Sequence, residues 1–593
     1  MNLNRHTFSI PVMGLGYTID TPVRVAHLGI SSVISIVDDI LIEKMRELYS
    51  KKFDLPYQTI TSKVEDFRAK RIAAYLNLVD KLVNEKIDDL VENFHKKENE
   101  IEKYFELLPN STQIREKFNH LLENTSLQDV KNWLRNNLKP GSIDVNIMTK
   151  LDKANYKDNE QLPIEYNDAH AALRGFATSN LSSSIVLSAG MNPRLYSYLE
   201  NFSDFYPDEQ GQLRKKITLK VSDFRSAMVQ GRFLAKKGIW ISEYRIESGL
   251  NCGGHAFATQ GYLLGPIMQE FKDKRQELID STFSVYQSGL KDKGLKELDQ
   301  APEVKITAQG GVGTHEEHQL LLDEYQLDSV GWGSPFMLVP EACNIDEKSL
   351  ELLKNAGEED MYLSNASPLG VHFNNVRGAS QQEAIQNYLK EGKPGFPCTK
   401  KYLVFNTEYT DKPICTASKQ YLRKKLKEVD ESDLTAERKQ AQKAKLTEKE
   451  CLCEGLTNST YLANGLPTDS KRNGVSICPG PNIAYFKQVV SLKEMVDHIY
   501  GRINLLKDIK RPNLFVKELK MYVEYLENNL KEAREEQDDK QLVYLRKFQS
   551  NLKDGISYYQ QFFKKYEAKL QEMKKDVFSE LEAFTKKLDQ ISI

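Results

Sequence analysis

Several things are scarce in this chain of 593 residues. Charge of one sign is missing: 82 Lys and Arg face 84 Asp and Glu, which argues against nucleic acid or an anionic membrane as the main partner. Long apolar runs are missing too. The most apolar early stretch, Ile30 to Ile42, is too short to span a bilayer and is broken by Asp38 and Asp39. The start, MNLNRHTFSIPVMGLG, has no extended apolar core and no small-residue cleavage site, so no secretory signal is expected. Cysteine is rare: seven residues, an odd number, with none in the first 250, which is not a disulfide framework. The expected compartment is the reducing cytoplasm. No internal repeat is evident.

What is present describes a globular chain, 40% hydrophobic and 28% charged, too long for a single ordinary core. Eight short apolar runs occur in order: FSIPVM, SSVISIV, DVNIM, SSIVLSAG, KITLKVS, IWISEYRI, VKITAQGGV and DSVGWGSPF. Runs of this kind suit buried parallel strands, and helical or loop segments separate them. Eight such units predict an α/β fold, a (β/α)₈ TIM barrel. An open doubly wound sheet is the competing fold, although no GxGxxG opens a first strand. The barrel is assigned to 1–42 and 139–345. Between them, 43–138 reads as an inserted helical hairpin or bundle, with Ile72, Leu76, Val79, Val83 and Ile87 at helical spacing. A loop- and Cys-rich subdomain (346–490), with a highly charged helical stretch at 418–450, and a helical region (491–593) broken at Pro512 complete a mostly α-helical C-terminal extension. Leu545, Phe548, Leu552, Ile556, Tyr559 and Phe563 form one stripe of that tail, suited either to a partner or to packing on the 43–138 helices.

Barrel active sites lie at the C-terminal ends of the strands, and phosphate sits beyond strands seven and eight. Gly310 and Gly311 close the seventh run, where the lack of Cβ lets amides approach a phosphate. Thr314 and Glu317 then form a T-x-x-E capping pattern at the start of a helix. Gly333 and Ser334 end the eighth run with a bare amide and a hydroxyl. The competing reading of these glycines is tight turns without a ligand.

The order IPVMGLGYTIDTP, LGISSVIS, VNIM, VLSAG, LKVSDFRSA, CGGHA, QGGVGT and VGWGSPFMLVPEA resembles the nitronate monooxygenase family, once called 2-nitropropane dioxygenases, with its flavin enoyl-reductase relatives. The resemblance spans about 8–40 and 140–345. It implies a TIM barrel with non-covalent FMN, whose phosphate Gly310, Gly311, Gly333 and Ser334 would hold. It places Met13 and Gly14 against the flavin ring and Asn146 on the strand that offers it an amide. Lys220 falls at the flavin edge, where a cation would stabilise the reduced, anionic flavin. Gly253 and Gly254 fall on the phosphate side, and His255 beside the substrate as acid, base or donor. Lys220 and His255 are the catalytic candidates, a strand-end surface lysine and a structural histidine being their competing readings. Asn251, Cys252 and Phe257 depart from the family around GGH, and Ser334 stands for its threonine, so nitronate oxidation does not follow.

Five cysteines crowd the extension: Cys398, Cys415, Cys451, Cys453 and Cys478. Cys451, Cys453 and Cys478, with Cys415 or Cys398, could hold an iron–sulfur cluster or zinc; reduced thiols are the equal competitor. His315 and His318 on a first helical turn read as solvated rather than metal-binding. The basic run from Arg423 to Lys427 is soon interleaved with acids and reads as a solvated helix. The leading expectation is thus an FMN-dependent oxidoreductase acting on a small-molecule or acyl-carrier-bound substrate, with NAD(P)H or an electron-transfer partner as reductant. An FMN plus iron–sulfur electron-transfer enzyme and a non-enzymatic helical scaffold are the alternatives.

Overall fold

The computed structural model describes residues 5–96, 98–256, 259–397, 399–468, 472–536, 538–565 and 574–593, so Phe257 and Cys398 lie outside the described residues. All eight apolar runs form strands: β1 (Phe8–Ile10), β2 (Ser31–Ser35), β3 (Ile143–Asn146), β4 (Ser184–Leu187), β5 (Lys216–Val221), β6 (Glu243–Glu247), β7 (Lys305–Gln309) and β8 (Ser329–Gly331). Every strand is parallel to both neighbours. Ser9 of β1 lies opposite Ser31 of β2 and Gly331 of β8, which closes the sheet into a barrel. The predicted TIM barrel is the observed fold.

Apolar residues such as Val145, Ile185, Ile217, Leu219, Ile246 and Val330 are buried on this sheet. Beside them runs a polar ladder, unusual where branched apolar side chains normally fill the barrel. Thr218, Glu243 and Thr307 meet across β5, β6 and β7, with Glu243 accepting from Thr307 (2.6 Å), Arg245 (2.7 Å) and Thr218 (3.3 Å). The cation and two hydroxyls compensate the buried carboxylate, whose pKa burial raises but Arg245 brings below its usual value. The ladder leads upward to the rim.

The insertion forms four helices, Phe67–Glu92, Glu98–Leu107, Ser111–Asn124 and Leu127–Asn137, preceded by Asp39–Lys52, which follows β2 directly. Phe67–Glu92 lies against the helix Asp168–Ala177, and Gly175 allows the approach: a Cβ there would stand 2.8 Å from Ala69 O. The two aspartates that interrupt the early apolar run are buried hubs. Asp38 caps the Asp39–Lys52 helix and accepts from Lys400 (2.7 Å). Asp39 accepts from Arg68 (2.5 Å), Arg71 (2.8 Å) and Tyr402 (3.0 Å), and the two arginines with the Tyr402 hydrogen bond hold its pKa down against burial. Insertion and extension are thereby tied to the end of β2.

The charged stretch forms two largely exposed helices, Lys419–Glu431 and Ala436–Thr447, each capped by a hydroxyl, from Ser418 and Thr435. The helical tail belongs to the same core as the barrel. Leu514–Glu536 begins two residues after Pro512, and Asp539–Lys565 folds back on it with its apolar stripe buried. That stripe is buried where its helix packs on the tail's own helices and on barrel segments 259–261 and 264–273. Glu518 Oε2 accepts from Leu264 N (2.8 Å), while Tyr522 OH accepts from Gly249 N (2.7 Å) and Tyr559 OH from Gly265 N (3.1 Å). Among the described residues no helix is long and apolar enough to cross a membrane.

Burial pushes the Glu518 carboxyl from 4.5 up to about 7, despite hydrogen bonds that favour the charged form. A raised carboxyl pKa stabilises the fold where the native side chain stays protonated. That contribution is complete below the unfolded value and is lost as pH rises through the window up to about 7. Denaturant midpoints of the full chain should therefore fall across this window, and Glu518→Gln should flatten the slope, removing a change on the order of 3 kcal/mol. An unchanged slope in the variant would show that Glu518 is not the titrating group.

Candidate active site

The rim of the barrel gathers charges that the strand register places side by side. Lys220 of β5 lies opposite Arg245, and Glu247 of β6 opposite Gln309 of β7. Lys220 Nζ stands 3.2 Å from Glu247 Oε2, while Gln309 Nε2 donates to Glu247 Oε1 at 2.6 Å. The pair is neither sealed nor free: the Lys220 and Glu247 side chains are 16% and 22% exposed. Lys150, just beyond β3, adds a second cation. Burial, then the Lys220 charge, lower its pKa to about 8, and Glu247 opposes the shift. Two cations against one carboxylate give the mouth a bias toward anionic ligands.

His255 enters from the loop after β6. Its Nε2 lies 2.7 Å from Ser367 Oγ, its ring stands edge-on to Phe373, and its carbonyl accepts from Asn251 Nδ2 (2.7 Å). Burial, followed by the charges of Lys150 and Lys220, pushes its pKa down to about 4. The near-neutral pKa expected of a histidine is thus not what this site provides. The imidazole is neutral through the physiological range, able to accept or donate a hydrogen bond but not to serve as a resting imidazolium acid.

The glycines divide into two groups. Gly254 has φ +75° and, among the described residues, nothing within 4 Å of where a Cβ would stand, so it borders open space beside His255 and can admit a planar group closely. Gly14, at φ +52°, turns the chain after Met13, whose amide donates to Thr18 Oγ1 at 3.3 Å. Asn146 ends β3 half-buried. Gly14, unlike Gly254, is closely packed: a Cβ there would stand 2.8 Å from the Tyr17 ring.

The loops expected to hold a phosphate are packed closely against one another. A Cβ on Gly310 would stand 2.2 Å from Leu250 O, one on Gly311 2.3 Å from the Leu250 side chain, and one on Gly333 2.5 Å from Cys252 Cβ. A Cβ on Gly253 would stand 2.1 Å from Cys478 O. These glycines are required by the close approach of neighbouring loops. Ser334 Oγ donates its only proton to Cys252 O (2.8 Å) and accepts from Gly480 N (2.6 Å), so the hydroxyl cannot donate to a phosphate as expected. Thr314 does cap the helix His315–Asp323, accepting from Glu317 N, but the Glu317 carboxylate turns back to Gly313 N (2.9 Å) and to Arg511 (2.7 Å).

The remaining candidates are dispersed. Cys415, Cys451 and Cys453 line a small apolar cavity with Pro368, Phe396 and Leu403. Cys478 is not part of it; its sulfur lies 3.8 Å from the Cβ position of Gly14, because the segment carrying it is drawn into the barrel mouth. Among the described residues, no group of three or more His, Cys, Asp or Glu is arranged to hold a metal. His318 joins Trp332 Nε1 and Thr7 Oγ1, and His315 bonds Ile499 O: both are structural rather than solvated. Lys150, Glu247, Ser367, Asn482 and Arg511 were not among the residues expected at the site. Lys150 and Glu247 stand at strand ends, a signal that was available. Ser367 and Arg511 arrive from segments far along the chain.

A closed parallel barrel with a polar, partly open, cation-biased mouth is the class of protein that fold and site define. No family model matches the chain, and no curated protein matches it. Among solved structures, FabK from Thermotoga maritima is 12% identical, with a TM-score of 0.38, covering 89% of this chain and 97% of its own. The enoyl reductase domain of MlnA, from the macrolactin biosynthesis cluster of Bacillus amyloliquefaciens, is 15% identical at TM-score 0.35, covering 65% and 85%. Nitroalkane oxidase from Streptomyces ansochromogenes is 8% identical at TM-score 0.34, covering 84% and 94%. Likeness this distant adds nothing to what the closed barrel itself shows.

The neutral state of His255 can be checked by NMR of histidine-labelled protein. Its ring should not titrate above pH 5, and Lys220→Met should move its pKa upward, because the Lys220 charge is one of the causes that lower it. A wild-type midpoint near the ordinary histidine value would contradict the burial described.

Proposed function

We propose that this barrel is a flavin-dependent oxidoreductase acting on a small or acyl-carrier-bound substrate. The observation that carries the reading is the convergence at one mouth of a largely buried Lys220–Glu247 pair, a second cation, Lys150, and the open backbone at Gly254 beside His255. The ordered strand-end motifs support it independently. When bound, FMN would supply hydride or electron transfer. Met13, Gly14, Asn146, Gly254 and Lys220 would hold its ring end, and the amides of the β7 and β8 loops its phosphate.

The chain's own residues have definite tasks in this reading. Lys220 presents positive charge where negative charge would accumulate, and Glu247 keeps its ammonium oriented rather than swinging into solvent. His255, held by Ser367, offers a neutral imidazole to a substrate carbonyl or hydroxyl; with a pKa near 4 it polarises or accepts rather than donating a proton from a charged form. The cation bias favours a substrate bearing carboxylate, phosphate or an enolisable carbonyl.

The test is direct. Purified protein reconstituted with FMN should show a flavin absorption spectrum. Lys220→Met should weaken flavin affinity and shift its reduction potential downward, and His255→Ala should lower turnover on the order of 10²-fold with flavin retained. Protein that stays colourless after reconstitution overturns the reading.

A further inference from the structure

Residues 478–482 and Arg511 reach four of the eight strand-end loops at once. Gly254 N, from the β6 loop, donates to Cys478 O at 3.1 Å, and Gly253 pairs with Pro479 as an antiparallel bridge. Cys478 also lies against Gly14 of the β1 loop, in van der Waals range of its Cβ position. Gly480 N donates to Ser334 Oγ at the β8 loop. Asn482 Nδ2 donates to Val312 O of the β7 loop at 2.6 Å. Arg511 completes the clasp: Nε to Asn482 Oδ1 (2.9 Å), Nη2 to Gly311 O (2.6 Å), and Nη1 to Glu317 Oε1 (2.7 Å). The Arg511 and Glu317 side chains are 6% and 2% exposed, so the ion pair is shielded from solvent. Glu317 further accepts from Leu514 N (2.8 Å), which fixes the start of the long tail helix to the same point.

β1, β6, β7 and β8 are the strands whose loops carry Gly14, Gly253, Gly254, Gly311, Gly333 and Ser334. Left to themselves, glycine-rich loops at a barrel mouth have no side chains to hold them in one conformation. Here main-chain and side-chain bonds from segments 146 to 200 residues downstream supply the missing constraint. We propose that Cys478–Asn482 and Arg511 form the positioning element of the mouth, with Arg511 as its key residue. On this view the C-terminal extension is part of the ligand site, not an accessory domain. Arg511 is not a catalytic residue: it acts through Gly311, Asn482 and Glu317. The proposal rests on the flavin reading for the identity of the ligand, but not for the ordering of the loops.

The experiment uses the full chain with Arg511→Gln, Arg511→Lys and Asn482→Ala, measured two ways. Hydrogen exchange without ligand compares peptides covering 249–256 and 310–318 with control peptides covering 67–92 and 216–221. FMN dissociation constants are measured by quenching of flavin fluorescence. Arg511→Gln should speed exchange in the two loop peptides at least tenfold with the controls unchanged, and weaken FMN at least tenfold. Arg511→Lys, which keeps the charge but loses the fork of donors, should fall between Gln and wild type. Unaltered loop exchange, or acceleration equal in loops and controls, overturns the proposal. Should Arg511→Gln not fold, Asn482→Ala decides by the same criterion, since it removes one side-chain bridge. If wild-type protein binds no FMN, the flavin reading falls, while the exchange measurement still decides whether the clasp orders the mouth.

Discussion

Closure of the sheet is the constraint on which the rest depends. Once Ser9 pairs with both Ser31 and Gly331, no strand edge remains, and every strand ends on the same rim. Residues separated by hundreds of positions then become neighbours without any one of them being attracted to another. Lys220, Glu247 and Gln309 meet because the β5–β6–β7 register sets them side by side, and His255 and Gly254 follow because β6 ends there. The polar ladder of Thr218, Glu243, Arg245 and Thr307 is tolerated inside the barrel because Glu243 finds hydroxyl partners on both adjacent strands and its counter-charge, Arg245, two residues along its own.

Around this frame, insertion and extension are fastened by buried charge. Asp38 and Asp39 draw Lys400, Tyr402, Arg68 and Arg71 to the end of β2, and Glu317 draws Arg511 to the end of β7. A buried charge without its counter-charge is costly, so each of these contacts specifies one arrangement of the added segments over others. The outcome is one continuous hydrophobic core across barrel, insertion and tail.

The mouth shows how function can sit on parts of different origin. The barrel itself supplies Gly14, Asn146, Lys220 and Gly254 at its strand ends. Its loops are held by the extension, through Cys478, Gly480, Asn482 and Arg511. The loop glycines serve two purposes that a sequence cannot separate: Gly254 faces open space, whereas Gly310, Gly311 and Gly333 exist so that Leu250 and Cys252 can approach. The thiols of Cys252 and Cys478 are both pushed up to about 12, chiefly by burial, which makes them packing groups at rest rather than nucleophiles.

The local signals in the chain were strong wherever structure depends on near neighbours. Alternation of β-branched runs with helical segments located all eight strands, and the spacing of Ile72, Leu76, Val79 and Val83 located the long inserted helix. The T-x-x-E pattern at Thr314 marked a helix start. The placement of Lys220 and His255 at strand ends was also legible, because strand ends are where a barrel puts its chemistry. By contrast, the protonation state of His255 depends on Lys150 and Lys220 brought near it by folding. The hydroxyl of Ser334 is spent on groups 82 and 146 residues away, and the expected cysteine set is divided because Cys478 follows the clasp into the mouth. Sequence by itself determined the elements, their order and the barrel they make, since hydrophobic periodicity is local. Only the tertiary structure decided which glycines face space, which histidine is neutral and which arginine holds the mouth, since these depend on distances between segments that no local pattern encodes.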